Sequence, residues 1–422
     1  RGIDPLFGPL DAVGAGADSA VAFLHTGFVL VAIGVLFRSS QSARRIGWSL
    51  VILTAVDLCV ANTWSIRAAD VDHGDGSTSA DVIQRHAQNH HLSEYRVWRF
   101  QHRAWYPTEW SHRGSDRRIE DGLDWDRQTL LPRFGLIHSL AMFSTAASFS
   151  ASDFQAVAAI RDADGILRPA ALDAMGIAYV IAPTRLLERR TDLEVFHSRL
   201  IFGESVSVAF NRDYFARVWV VRRYATDLDL KAAEAARDIE PTPSTMFEMN
   251  LRDLAIVEPG AIIPSWAREL HVDAVKPRDA NLAVRSSNEK SDNRDLRPPR
   301  CETHRVRATE IRVRVEQDRP GLVISSDYYY PGWTSTVRDL ATGNESDLPI
   351  LRVNHIMRGV AVPAGRFELA YRYEPRSFIV GMWCSIIGWT VWAGFVFMHG
   401  ARRLGLNMAV RSSKIPISRA SL

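Results

Sequence analysis

The sequence predicts a membrane protein of the α+β class, with three transmembrane helices, a large extracytoplasmic α/β region and a C-terminal antiparallel β-module. Three observations carry that reading. Residues 19–37 and 378–398 contain no Asp, Glu, Lys or Arg, and each is close to the ~20 residues that cross a bilayer. Between 80 and 225, short apolar runs alternate with helical stretches, the pattern of an α/β layer. Between 305 and 374, short alternating runs are punctuated by Pro-Gly and Gly-Asn turns, the pattern of an antiparallel sheet or sandwich. The 422 residues carry a net charge of only +3, which excludes a generally basic nucleic-acid binder and a long acidic tail.

The membrane elements come first. The windows Ala20–Phe37, Ile46–Trp64 and Phe378–Met398 read as spans, the second carrying one acid, Asp57. A signal peptide does not suit the first window, because the second follows after only eight residues. The loop 38–45 holds Arg38, Arg44 and Arg45 and no acid. The tail 400–422 holds Arg402, Arg403, Arg411, Lys414 and Arg419, again with no acid. Both read as cytoplasmic by the positive-inside rule. Residues 1–19 and 65–377 are then outside, and the latter segment is nearly neutral. An outer start without a signal peptide leads to the expectation of further membrane helices upstream of Arg1.

Along the exported segment, 67–93 reads as a polar tether leading into a helix near 80–91. YRVWRF (95–100) reads as a strand, and 151–162 and 168–175 as helices. IAYVIAP (177–183) reads as a short apolar strand, with further strands in SVAF and RVWVVRRY around a turn at Asn211–Asp213. Prolines cluster between 241 and 277, and the polar run 286–300 is taken as the boundary between an α/β region, 65–300, and a β-module, 301–376. Cys301 is the only cysteine in the exported part, so that part folds without an internal disulfide.

Six strands are expected in the β-module: TEIRVRVEQ, with Ile311, Val313 and Val315 on one face, then GLVISSDYYY, WTSTVRDL, PILRVN, GVAVP and FELAYRY. The last runs almost directly into the third span.

Several residues stand out chemically. Asp57 is an ionisable group inside a span, so it serves function or pairs with another helix. Its place about two turns from Trp64 also lets it reach water. His86, His90 and His91 lie close together, but neither HExxH nor a Cys pair completes a zinc site, and they read as a solvated face. Arg96, Arg99, Arg103, Arg113, Arg117 and Arg118 are interleaved with Trp98, Trp105 and Trp110. Arginine forks suit phosphate or carboxylate, and Trp faces suit sugars or guanidinium groups. The acids at 116–126 offer local ion pairing as the alternative. Tyr328, Tyr329, Tyr330 and Trp333 form either a sugar-stacking platform or core packing around the Pro331-Gly332 turn. No GxSxG, P-loop or dinucleotide loop is present. No catalytic residue, metal ligand or cofactor site is assigned.

ISSDYYYPGWTSTV (324–337) and RVNHIMRGVAVPAGRFELAYRYEPRSFIVGMW (352–383) together resemble the C-terminal end of the YfhO family, bacterial polytopic membrane proteins related to GT-C glycosyltransferases. The matching features are Tyr330-Pro331-Gly332-Trp333, Asn354, Arg358-Gly359-Val360, Pro363-Ala364-Gly365, and Tyr371 and Tyr373 before Pro375, followed at once by a membrane helix. Weaker echoes are Asp57-Leu58, YRV at 95–97, MGIAYVIAP at 175–183, and Asn211 followed by ARVWVV at 216–221. The resemblance implies a multi-pass protein of the bacterial inner membrane with a large domain outside the cytoplasm. It also implies sugar transfer from a polyprenyl-phosphate-linked donor to envelope glycan. The family's catalytic carboxylate lies on an outer loop near its N-terminus, and no residue here matches it. The chain therefore reads as the C-terminal part of such a protein, its exported domain serving transfer of envelope glycan or lipid-linked sugar. Two alternatives stay open: a non-catalytic membrane-anchored scaffold, and the exported domain of a transporter. The partners implied are the lipid bilayer and a polyprenyl-phosphate sugar or envelope glycan, and nucleic acid is not among them.

Overall fold

The computed structural model describes residues 12–38, 43–65, 79–100, 105–115, 117–143, 152–226, 229, 247, 249–272, 299–307 and 309–403. The protein is α+β. Two long helices come first, α1 (Ala12–Arg38) and α2 (Ala43–Ser65). Among their contacts is a polar pair, His25 Nε2 at 2.9 Å from Asp57 Oδ1. Asp57 is thus paired with a neighbouring helix. Two helical stretches are long and apolar enough to cross a membrane, Ser19–Arg38 in α1 and Arg376–Met398 near the C-terminus. Helix α2, interrupted by Asp57 and Asn62, is long but less apolar.

The α/β region begins with α3 (Ser79–Asn89). Ala80, Ile83 and Ala87 fall on one face and are buried, the spacing expected of a helix packed on a core. Strand β1 (Arg96–Arg99) follows, then the helices α4 (Arg118–Gln128), α5 (Pro132–Ile137), α6 (Ser152–Ala158) and α7 (Pro169–Ala174). These lead to β2 (Ile177–Pro183), the short helix α8 (Thr184–Leu187), β3 (Glu194–Ile201) and β4 (Glu204–Phe210). The first sheet runs β1-β2-β4-β3. β1 and β2 are parallel, joined by the helical crossover that a parallel pair requires. Every residue of β2 is buried, which explains its uninterrupted apolar sequence.

The remaining strands form two further sheets. They are β5 (Val218–Val221), β6 (Arg223–Thr226), β7 (Leu254–Val257), β8 (Arg300–Arg307), β9 (Glu310–Gln317), β10 (Gly321–Tyr328), β11 (Trp333–Asp339), β12 (Glu345–Leu348), β13 (Leu351–Val353), β14 (Met357–Val362) and β15 (Gly365–Tyr373). The six-stranded sheet runs β5-β10-β14-β13-β7-β6, and the five-stranded sheet runs β12-β11-β15-β9-β8. The expected module 301–376 therefore draws half of one sheet from upstream. Strands before and after the polar run 286–300 share hydrogen bonds, with β10 paired to β5 on one edge and β14 on the other. The physical reason is that a buried strand needs partners on both edges.

The six-stranded sheet is a middle layer. Along β10, Leu322 and Ile324 pack into a core shared with the α/β region, while Val323 packs into a second core with Ile311, Val313, Val315 and Leu369 of the five-stranded sheet. Strand β9 alternates as its sequence indicates, with Ile311, Val313 and Val315 inward. β8 and β12 are strands beyond the six expected from sequence.

Two residues, Glu374 and Pro375, separate β15 from helix α9 (Arg376–Arg403). None of its stretch Arg376–Met398 is buried, so Trp383, Trp389, Trp392 and Phe395 are all exposed. The turn before β11 braces this junction. Gly332 has φ +104°, and a Cβ there would lie 3.0 Å from the Pro375 Cα. Glu374 also donates its backbone N–H to the Gly332 carbonyl at 2.8 Å. Gly332→Val should destabilise the fold by about 1–3 kcal/mol through φ strain and the clash with Pro375. Urea unfolding of the detergent-solubilised chain, followed by Trp fluorescence, measures the loss. An unchanged midpoint would show that the turn tolerates a side chain.

Candidate functional site: an aspartate held by three arginines

Three arginines from separate parts of the sequence, Arg96, Arg217 and Arg358, converge on one buried carboxylate, Asp327. β10 pairs regularly with β14 up to Ser325 opposite Arg358, then shifts register before Tyr328. That irregularity turns Asp327 inward, as bulges do. Arg96 stands at the start of β1, Arg217 just before β5 and Arg358 near the start of β14. All three guanidinium groups meet the same side chain. Arg96 Nη2 and Arg217 Nη2 each donate to Oδ1 at 2.7 Å. Arg217 Nε lies 3.2 Å from both oxygens, and Arg358 Nη2 is 3.1 Å from Oδ2. The Ser325 hydroxyl donates to Oδ2 at 3.0 Å. Arg96 is further fixed through Nη1, which donates to the Met175 carbonyl and to Ser326 Oγ, each at 2.6 Å.

Burial alone would raise the Asp327 pKa. The three guanidinium groups outweigh it and hold the carboxyl well below the usual carboxylate range. The arginines remain in excess, three cations on one anion, and Glu94 also interacts with Arg96 and Arg217. Burial pushes Glu94 up, partly offset by a hydrogen bond with Thr303 and by Arg217. Arg358 carries the excess differently from the other two. Its guanidinium lies 4.1 Å from the Trp333 ring and 5.1 Å from the Tyr371 ring, while its Nε and Nη1 are buried without hydrogen-bond partners. Cation–π contact with desolvated rings is worth about 2 kcal/mol. Two aromatic faces therefore replace much of the lost hydration.

The other candidate residues lie as follows. Arg99 is 4% exposed, donates to Thr129 Oγ1 at 3.0 Å, and sits over the Trp105 ring at 4.7 Å. Burial first, against the attraction of Asp126, brings its pKa down to about 10. Arg118 lies over Trp110 at 4.5 Å, and Arg117 pairs with Glu120 at 3.0 Å. The Arg/Trp segment thus packs largely on itself and its acids. Arg103 lies outside the described residues. Asn354 is fully buried at φ +46°, a conformation Asn tolerates. Its backbone N–H donates to the Ile256 carbonyl at 2.7 Å and its Oδ1 accepts the Ile256 N–H at 2.9 Å, joining β7 to the β13–β14 turn. Tyr330 is 44% exposed, its ring 5.9 Å from that of Tyr328.

His90 and His91 are exposed, as the solvated face read from sequence expects, whereas His86 departs from it. His86 is half-buried, packed against Phe196 at 4.2 Å and His90 at 4.3 Å, and hydrogen-bonded to Tyr179 Oη at 2.9 Å. Among the described residues no group of three His, Cys, Asp or Glu is placed to hold a metal ion.

Sequence reasoning found Arg96 and Arg358 but missed Asp327 and Arg217. The available signal was an acid at an otherwise apolar strand end, in GLVISSDYYY. No family model, no curated protein and no solved structure matches the chain.

Asp327→Asn should cost about 3–5 kcal/mol, because it leaves three buried guanidinium groups without their anion. The pH dependence has a definite sign. A depressed folded pKa contributes stability above the unfolded value near ~3.9, lost as pH falls through the folded value. The stability gap between wild type and the variant should be flat from pH 8 to about 5 and shrink only below about pH 4. Denaturant titrations across that range test it, and a gap that closes near pH 6 would contradict the assignment.

Proposed function

We propose that this chain is a membrane-anchored part of a bacterial inner-membrane protein of the YfhO type. It is held by the spans Ala20–Phe37, Ile46–Trp64 and Phe378–Met398, with residues 65–377 outside the cytoplasm. The exported domain serves envelope glycan or lipid-linked sugar transfer by orienting substrate, and the chemistry itself lies elsewhere. The observation that carries the reading is the junction at Pro375. A domain with two packed cores passes in two residues into a helix whose apolar side chains are uncovered along its length. Such a surface calls for a hydrocarbon environment. The basic clusters at 38–45 and 402–419 favour the outside placement of the domain. The His25–Asp57 pair gives the acid of α2 a polar partner, which makes α2 compatible with a bilayer.

A second reading, a non-catalytic envelope scaffold, is favoured by one specific observation. Asn354, Arg358 and Trp333, three residues of the recognisable motifs, are engaged in packing and ion pairing within the fold.

Reporter fusions after residue 300 should be active outside the cytoplasm, and those after residue 405 inside. The reverse pattern would overturn the orientation. Cys301 is a poor labelling target for the same purpose, since burial, then Glu94, pushes its thiol up to about 12, leaving little thiolate at neutral pH. The orienting role has its own test. The purified chain, supplied with polyprenyl-phosphate sugars and envelope acceptors, should show no transfer above a no-protein control. Turnover that is lost on mutating Asp57 or an exported carboxylate would make the chain itself the catalyst.

A further inference from the structure

The five-stranded sheet carries a groove at the end next to α9. It encloses about 550 Å³ and is lined by Trp333, Thr334, Thr336, Asp347, Arg372 and Glu374, with Leu348, Pro349 and Ile350 as an apolar wall. Its position follows from strand register. Thr334 faces Arg372 across β11–β15, and Thr336 faces Asp347 across β11–β12. Glu374 stands two residues before the first residue of α9. The floor therefore rises from the helix junction along β11 for three or four residues, roughly 10 Å at ~3.3 Å per residue. That is about the length of a disaccharide.

The chemistry of the lining is acceptor-rich. Among the described residues, Asp347 and Glu374 make no ion pair, whereas Arg372 is engaged by Glu310 at 3.6 Å. Thr334 and Thr336 add two hydroxyl groups, and Trp333 with the Leu348–Ile350 wall adds apolar surface. Two carboxylates facing one already paired cation disfavour phosphate or carboxylate ligands. They suit a ligand that donates many hydrogen bonds and has an apolar face, since bonds to charged acceptors are the stronger class.

We infer that this groove binds an uncharged, hydroxyl-rich saccharide, presented at the membrane surface by a glycolipid headgroup or by a free glycan. The inference rests on the orienting role proposed above and gives that role a place in the fold. Asp347 is a binding residue whose carboxylate accepts sugar hydroxyls, and Thr336, opposite it, contributes a second polar contact. Asp347 is exposed and lies on an edge strand, so its replacement by Asn leaves the packing of both cores untouched.

The test uses the full chain. In nanodiscs of phosphatidylcholine, binding is measured to glucosyl-diacylglycerol included in the bilayer. In detergent, it is measured to methyl glucoside and maltose by saturation-transfer NMR and calorimetry. Asp347→Asn and Thr336→Val are compared with wild type, and circular dichroism confirms that each variant folds. Saccharide binding weakened at least about tenfold by Asp347→Asn, and weakened also by Thr336→Val, supports the site. Tighter binding in the nanodisc arm identifies a lipid source, and equal binding a free glycan. No binding in either arm, binding unaffected by both variants, or binding of spermidine in place of the sugars overturns it. The detergent arm does not depend on topology. Sugar binding combined with reversed reporter fusions would sink the functional reading and leave the groove standing. Correct fusions without sugar binding would do the opposite.

Discussion

Asp327 has to neutralise more positive charge than one carboxylate carries, and the arrangement around it follows from that imbalance. Taking a guanidinium group out of water costs several kcal/mol even after the protein relaxes, and three of them surround this side chain. Arg96 meets the cost with hydrogen bonds to Met175 and Ser326 as well as the ion pair. Arg217 meets it with a two-pronged contact to both carboxylate oxygens. Arg358, with two of its nitrogen atoms unpartnered, relies on the faces of Trp333 and Tyr371. The three arginines come from the α/β region, from the strand lead-in to β5 and from β14. A single acid therefore ties together segments as much as 231 positions apart in sequence.

The middle sheet makes that clamp useful. Its two faces belong to different cores, and a slip of one residue in β10 would exchange Leu322 and Ile324 for Val323 and reverse both cores at once. The register is held where β10 is irregular. Ser325 faces Arg358 and Val218, and the Ser326 N–H reaches the Arg217 carbonyl at 2.9 Å. The polar cluster and the two apolar cores thus specify the same alignment. That agreement between levels marks a sequence that encodes one structure.

How much of this was legible in the sequence depended on range. Strand β9 showed its alternation openly. β2 showed its burial on both faces as an unbroken apolar run, and Pro331-Gly332 showed its turn. Each is a local signal within about ten residues. The long-range pairings left no such trace. Arg217 and Asp327 lie 110 positions apart, and Arg96 and Asp327 lie 231 apart. Nothing in either neighbourhood announces the other. The polar run 286–300 read as a boundary because composition changes there, yet β5, β6 and β7 pass beneath that change to complete the sheet of β10 and β14. The arginines of 96–118 were visible as a group, but their fates divide. Arg96 joins Asp327, Arg99 turns inward on Trp105 and Thr129, and Arg118 stacks on Trp110. Spacing alone could not separate them, because the choice depends on which acid or ring the tertiary fold brings near.

The same clamp reaches the start of α9 through a short series of contacts. Arg358 bridges Asp327 to the Trp333 ring. Trp333 lies beside Tyr373, its cross-strand neighbour, with ring centres 5.2 Å apart. Gly332, next to Trp333, bonds to Glu374 and leaves no room for a side chain against Pro375. Each step is a packed or hydrogen-bonded contact, and only Glu374 and Pro375 separate β15 from α9. A linker of two residues, one of them proline with its φ fixed, has little freedom to reorient, so the pose of α9 relative to the sheets is set by the residues that pack around it. Trp333 serves two of these relations, as the ring that holds Arg358 and as part of the floor of the groove. Through Arg358, the buried acid thereby bears on the ring that lines the groove and, by way of Gly332, on the turn packed against Pro375 at the start of α9.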